Sequence, residues 1–544
     1  SLFRFYNMEG FLALSILVLT LHFFLFLAMG VLIYYLLPKK LQWVWLLVLS
    51  YLYYFTFSIK TSVFLIFTTV VTYTGGILLT RMNESSKAYL AANKETLDRA
   101  AKKAYKEKVK KNKRRVVVAM LLLCFGLLGV VKYLNFVIEN IDALVLAVGH
   151  GQYFEPVNII LPLGISFYTF QSISYIIDVY QGKYSAEKNI FKYALFVSFF
   201  PQLLQGPIGR FDRLAHQLYE GRSFSLKAAE FGLQRILWGC FKKMVLADRV
   251  AGFVTTVFGN YTEYGGWYNL VAVLLYCVQL YADFSGGIDI VIGTAEIFGI
   301  RMDENFRQPF FSKSIGEFWR RWHITLGTWM KDYIFYPFSL SKQMNRFGKW
   351  SKKHLGNTVG KAMPICLADL LIFFVVGIWH GAAWKYIAYG MYNGIIIAVS
   401  SLLEPLYAKG FEKTKIHKES KAWTVVQIIR TFILVNIGWY FDMAVSFSAA
   451  LVMMKETFTK MSMSQFTGTA FLELGMGRRD FLIVLAGCII IFIVSLLKER
   501  GVAVREAIAA KPLIVRWAIW YVFIVIIFIF AYTGDGSAFI YANF

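Results

Sequence analysis

The chain has 544 residues, 58% apolar and 18% aromatic, with a mean hydropathy of +0.54, which excludes a soluble globular domain and points to an integral membrane protein. Its 57 Lys and Arg against 33 Asp and Glu leave a net charge of +24. In a membrane protein such an excess collects in cytoplasmic loops and orders the topology, so nucleic acid is not the expected partner.

A helix crossing about 30 Å of hydrocarbon needs roughly 20 residues. The first expected spans are Phe11 to Leu37, Leu41 to Phe57 and Ser62 to Thr80. Lys39, Lys40 and Arg81 mark their cytoplasmic ends and put the N-terminus outside. The first apolar run is too long, and too poor in basic flanks, for a cleavable signal peptide, so it is expected to stay as a helix. From Arg81 to Arg115 the chain turns polar and strongly basic, as a cytoplasmic helical arm would. The plain expectation is a solvated, topology-setting helix, and docking of an acidic partner or anionic lipid is the alternative.

Val116 to Ile138 then crosses outward and Val157 to Tyr180 returns to a loop with Lys183, Lys188 and Lys192. From about 191 to 350 the apolar runs shorten, interrupted by Pro201, Gly206, Pro207, Gly209 and many charges. This predicts re-entrant or interfacial helices around a central funnel or tunnel, since irregular backbone at membrane depth needs protein or a wet cavity around it. Further spans follow at Pro364 to Ala383, Trp384 to Leu403, Trp423 to Met443, Phe481 to Leu497 and Ile514 to Tyr532, and the tail from Thr533 ends outside. The expected architecture is all-α and polytopic, with about 11 transmembrane helices. Its segments are N-terminal spans (1–80), a basic arm (81–115), a core (116–404), C-terminal spans (405–532) and an extracytoplasmic tail (533–544). Cys124, Cys240, Cys277, Cys366 and Cys488 lack zinc-like spacing and read as core packing, and no metal site is expected.

An ionisable residue at mid-membrane costs roughly 2.5 to 3.5 kcal/mol, so each needs a partner, a cavity or a function. His380 lies in the apolar run Leu371 to Trp384, and Gly381, Ala382 and Ala383 beside it leave room for a substrate chain. A neutral imidazole there can act as a general base. The alternatives are a histidine hydrogen-bonded to a helix carbonyl and a proton relay in a transporter. The segment Glu317 to Asp332 is cationic and aromatic together; on a helix, Arg320 and Arg321 meet phosphates or simply anchor the interface, and His323 adds a second imidazole. Tyr281 to Asp289 holds Asp283, Ser285 and Asp289, a weak cation signal, with salt bridges to Arg301, Arg307 or Arg320 the expectation. With no phosphate loop, GxSxG or HExxH motif, the chemistry falls to His and hydroxyls.

These clusters together resemble the membrane-bound O-acyltransferase (MBOAT) family, in its bacterial branch that O-acetylates alginate and peptidoglycan, with the teichoic-acid D-alanyl transfer proteins as relatives. The resemblance is carried by Lys132 to Phe136, Leu161 to Gln171, Phe200 to Ile208, Glu304 to Pro309, Phe318 to Leu326 and Gly377 to Trp384. It covers residues 115 to 400 densely. It implies a ring of helices around a thinned centre, with His380 as catalytic histidine and His323 as the second functional one. Asp283, Ser285, Asn305, Trp319 and Trp379 are then expected to support or line the tunnel, while Arg320, Arg321 and Lys331 hold the donor's phosphates.

The tail Gly534 to Phe544 resembles the branch's Phe-Ile-Tyr-Phe-Gln-Phe ending, with Ala542 and Asn543 replacing one pair. It makes Tyr541 a candidate acyl carrier, a membrane-interface anchor being the alternative. The implied function is relay of an acyl group, acetyl first, from a cytoplasmic thioester for O-acylation of a cell-wall or exported polysaccharide. The donor is acetyl-CoA or a charged acyl-carrier protein, with no tightly bound cofactor. The implied partner is an extracytoplasmic, SGNH-hydrolase-like acyltransferase, and the implied location is the bacterial cell membrane. D-alanyl transfer to teichoic acid is the nearest alternative, and an ion-coupled transporter is the alternative of a different class, against which the lack of an internal repeat counts.

Overall fold

The computed structural model describes residues 21–149, 154–203, 205–414, 417 and 419–534. Among them the regular elements are helical, with one isolated antiparallel bridge between Phe306 and Trp322. In chain order the principal helices are α1 (Leu21–Leu36), α2 (Gln42–Phe57), α3 (Ser62–Ala92), α4 (Arg99–Ala147), α5 (Ile165–Gln181), α6 (Leu226–Cys240), α7 (Asp248–Gly259), α8 (Trp267–Ile297), α9 (Ile315–Arg321) and α10 (Ile324–Met330). They continue with α11 (Lys342–His380), α12 (Trp384–Thr414), α13 (Lys421–Met443), α14 (Phe447–Thr459), α15 (Arg478–Glu499) and α16 (Leu513–Phe530). Eight of these, α3, α4, α8, α11, α12, α13, α15 and α16, are long and apolar enough to cross a membrane. The shorter α1, α2 and α5 have 16, 16 and 17 residues.

The chain packs as two units. One is built from the described residues up to Gly232 together with Val291–Asp303, the other from Leu233–Ile290 and the described residues from Glu304 onward. In the first, α3 packs against α4 and α5 through adjacent glycines. A Cβ on Gly75 would stand 2.7 Å from the Met120 side chain, and one on Gly76 2.9 Å from the Tyr175 ring. Small residues at such crossings let helix backbones approach. The basic stretch is largely helical: α3 continues to Ala92, and α4 starts at Arg99 with the Asp98 carboxylate accepting from Ala101 N–H.

The second unit carries the candidate site. Where the sequence predicts broken helices, α8 runs unbroken for 31 residues. Asp283 and Asp289 interrupt its hydropathy, but cations from the preceding segment neutralise them. A π-helical turn, Phe241–Ala247, brings Lys243 within 2.7 Å of Asp283 and 2.8 Å of Asp248, while Lys242 and Arg235 reach Asp289 at 2.5 and 2.9 Å. The expected partners Arg301, Arg307 and Arg320 are therefore not the ones used. The crossing is close because Gly239 faces Gly286, where a Cβ would stand 2.5 Å from the Gly286 carbonyl oxygen. Arg249 extends the polar framework by pairing with Asp480 on α15 and donating to the Phe530 carbonyl at 2.6 Å.

Helix α11 turns at Gly356 (φ 79°) and ends at His380, three residues short of the expected Ala383. It packs tightly on α12. A Cβ on Gly377 would stand 2.6 Å from the Tyr386 carbonyl oxygen, and one on Gly390 would run into the Phe373 carbonyl. Gly390→Val should therefore lower stability by about 1–3 kcal/mol through overpacking. In a detergent thermal-shift assay its melting temperature should fall, while Gly410→Val, where an added Cβ meets nothing within 4 Å, should melt near wild type. Equal melting of the two variants would refute this packing.

Candidate active site

The segment predicted as one cationic helix is two. Helix α9 stops after Arg321, Trp322 is extended, and His323 takes a left-handed conformation (φ 47°, ψ 52°) before α10 begins. A non-glycine residue there costs on the order of 1–3 kcal/mol and persists only where its surroundings impose it. The neighbouring strand-like segment supplies that constraint: Ile324 N–H donates to the Asn305 carbonyl at 3.0 Å and Arg307 N–H to the Arg321 carbonyl at 2.9 Å. Trp322 and Trp329 are buried, so they do not serve as head-group anchors.

The Asn305 side chain settles the His323 tautomer. Its Oδ1 accepts from the Thr325 backbone N–H at 3.0 Å, a group that can only donate, and from Thr325 Oγ1 at 2.9 Å. The same oxygen lies 3.2 Å from His323 Nδ1, so that nitrogen carries the proton and Nε2 is the basic one. Burial, reinforced by the nearby His380 imidazole, holds the His323 pKa well below its ordinary 6.5. The Phe284 ring stands edge-on to it at 4.9 Å.

His380, 2% exposed, closes α11. Its Nδ1 lies 3.5 Å from Asp442 Oδ1 on α13. Asp442 Oδ2 accepts a 2.6 Å hydrogen bond from the Tyr276 hydroxyl on α8, and Lys385 Nζ donates to the backbone carbonyls of Asp442 and Ala444 at 3.0 and 2.8 Å. Trp379 joins the two histidines, its ring centroid 5.4 Å from that of His323 and 5.1 Å from that of His380. The open space expected beside Gly381 is taken up by the Tyr386 ring, which a Cβ at that position would strike.

Of the sequence candidates, His323, His380, Asn305 and Trp379 thus come together. Trp319 joins through Tyr389, whose ring lies 6.3 Å from it and 5.2 Å from His380. Asp283 and Ser285 belong to the lysine network of α8. Arg321 is committed to Glu317 and Glu499, both at 2.7 Å, whereas Arg320 and Lys331 are exposed. Tyr541 lies outside the described residues. An apolar cavity of about 290 Å³ is lined by Leu274, Phe310, Phe432 and Phe492, and neither imidazole faces it. Sequence reasoning missed Asp442, Tyr276 and Lys385. The signal available was weak, a single carboxylate beside the end of α13, a helix that also carries Arg430.

Fold and site define a multi-pass helical membrane protein with a paired-histidine centre. Residues 185–441 match the profile of the MBOAT, membrane-bound O-acyltransferase family, a stretch that includes both histidines. The chain is 35% identical over 376 residues to a probable alginate O-acetylase AlgI of Pseudomonas putida, covering 65% of this chain and 70% of that one. It belongs to the membrane-bound O-acyltransferase family. It is also 36% identical over 318 residues to a probable alginate O-acetylase AlgI of Pseudomonas syringae (58% of this chain, 54% of that protein). With a peptidoglycan O-acetyltransferase of Helicobacter pylori it shares 31% identity over 370 residues (63% and 64%). The chain spans little more than half the length of several of the alginate O-acetylases it matches.

A buried imidazole that stays neutral in the fold but takes up a proton when unfolded stabilises the protein above its ordinary pKa. That stability is lost as pH falls below about 6.5. His323→Gln should therefore lessen the drop in melting temperature between neutral and mildly acidic buffer, relative to wild type. An identical acid dependence of the two proteins would contradict a neutral, buried His323.

Proposed function

We propose that the protein is an O-acyltransferase of the bacterial cell membrane that relays an acetyl group from a cytoplasmic thioester, acetyl-CoA, to a hydroxyl on the extracytoplasmic side. The observation that carries this reading is the pairing of two buried imidazoles around Trp379, each with one nitrogen directed to its own oxygen partner, Asn305 or Asp442. Family membership and the named activities of the alginate and peptidoglycan relatives support it.

In this mechanism the acceptor's hydroxyl proton passes to His380 as its oxygen attacks the thioester carbonyl carbon. The new C–O ester bond forms, the C–S bond breaks, and the proton goes on to the departing thiolate. His323, neutral and fixed in one tautomer, assists on the donor side. The exposed Arg320 and Lys331 meet the donor's phosphates, while Arg321 is held by carboxylates. Tyr541, on a Gly-flanked tail placed outside by the charge pattern, is the transient acceptor. From it an SGNH-hydrolase-like partner delivers the acyl group to a cell-wall or exported polysaccharide.

The purified protein should release free thiol from acetyl-CoA, and intact-mass analysis should find an acetyl adduct absent from Tyr541→Phe. An adduct that persists in Tyr541→Phe removes the carrier role. Activity confined to a D-alanyl-charged carrier protein would overturn acetyl transfer in favour of teichoic-acid D-alanylation. Solute flux in proteoliposomes without thiol release would point instead to a transporter.

A further inference from the structure

A carboxylate in an apolar helix needs partners inside the protein. Asp442, its side chain 1% exposed on α13, has them arranged asymmetrically. Tyr276 from α8 donates to Oδ2 at 2.6 Å, and Oδ1 faces His380 Nδ1 at 3.5 Å. Lys385 bonds the carbonyl oxygens of the Asp442 and Ala444 backbone, which fixes the end of α13 and so the position of the carboxylate. Helices α8, α11, α12 and α13 therefore all contribute to placing one oxygen against one imidazole nitrogen.

We propose that Asp442, clamped by Tyr276, is a positioning residue that keeps the proton of His380 on Nδ1 and thereby makes Nε2 the nitrogen that receives the acceptor's proton. The inference rests on acyl transfer at His380 as stated above. An ionised carboxylate only accepts hydrogen bonds, so it selects the tautomer with Nδ1–H toward it, and imidazole geometry then turns Nε2 to the opposite side.

The contrast between the two histidines assigns their roles. His323 faces a neutral amide oxygen, which orients the ring and adds no charge, whereas His380 faces a carboxylate, which also stabilises the imidazolium formed during transfer. The 3.5 Å separation is longer than a good hydrogen bond. Catalytic hydrogen bonds of this kind are often long before substrate binds and tighten in the complex. Through the cycle the Nδ1 proton stays in place. Only the hydroxyl proton moves, onto Nε2 as the C–O bond forms and then to the thiolate as the C–S bond breaks.

The test measures thiol release from acetyl-CoA by purified wild type, His380→Ala, Asp442→Asn, Asp442→Glu, Tyr276→Phe and the His380→Ala/Asp442→Asn double variant. Exchanging the carboxylate behind a catalytic histidine for an amide can cost as much as about 10⁴ in kcat, so Asp442→Asn should lose at least about 10-fold in kcat with KM for acetyl-CoA unchanged. Asp442→Glu should recover part of the loss, and Tyr276→Phe should lose less than Asp442→Asn. The double variant should be no slower than His380→Ala, because residues acting as a unit are not additive. Wild-type kcat in Asp442→Asn, or a further full loss on the His380→Ala background, overturns the proposal. Should Asp442→Asn fail to purify as a monodisperse particle, Tyr276→Phe decides: reduced kcat at unchanged KM supports the clamp, and wild-type kcat overturns it. A fully active His380→Ala would instead overturn the acyl-transfer reading itself, which an inactive His380→Ala beside an active Asp442→Asn would leave standing.

Discussion

A charge or polar group buried among apolar helices has to be satisfied by the protein, because the hydrocarbon around it offers nothing. That constraint organises the second unit. The carboxylates Asp283 and Asp289 fix where α8 meets the π-helical turn, since Lys242 and Lys243 must both reach it. Asn305 fixes His323 across the break between α9 and α10, and Asp442 on α13 stands against the last residue of α11. Each pairing joins segments distant in the chain, so the polar groups specify which helices touch as well as which reactions are feasible. Whether such pairs add net stability is a separate matter, since breaking a buried pair is far more damaging than replacing it whole.

The chemistry follows from the same rule. Two imidazoles packed on one indole would be redundant if their surroundings matched. Here one is held by an amide oxygen at a strained backbone position and the other closes a helix facing a carboxylate. Strain at His323 fits a site preorganised for function, because the relaxed alternative, a continuous helix through Trp322, would carry the ring elsewhere. Glycines do the complementary work. Gly377 and Gly390 bring α12 close enough to deliver Tyr386, Tyr389 and Lys385 to the His380 end of α11.

Much of this was legible in the sequence. The long apolar helices follow from hydropathy; His380 stands out as an imidazole inside an apolar run with no local partner, and His323 as a second imidazole in a cationic, aromatic segment. What escaped depended on sequence-distant partners. Periodicity shows no break at His323, because the strain is imposed by residues 304 to 308. A 31-residue α8 looked interrupted because the cations that neutralise it lie on another helix. Arg321 looked available for phosphate because Glu499, far along the chain, is invisible to a local reading. Asp442 sits one residue from the end of its helix, where hydropathy treats a charge as interfacial; only the fold shows it buried.

The central claim is that His380 passes an acyl group from a thioester on one side of the membrane to a hydroxyl on the other. Sealed proteoliposomes with labelled acetyl-CoA on the cytoplasmic face and a hydroxyl acceptor confined to the opposite face test it most directly. The account predicts label in ester linkage on the far side for wild type and none for His380→Ala, although both proteins insert equally. Equal label in both, or label that stays on the donor side in wild type, would contradict it.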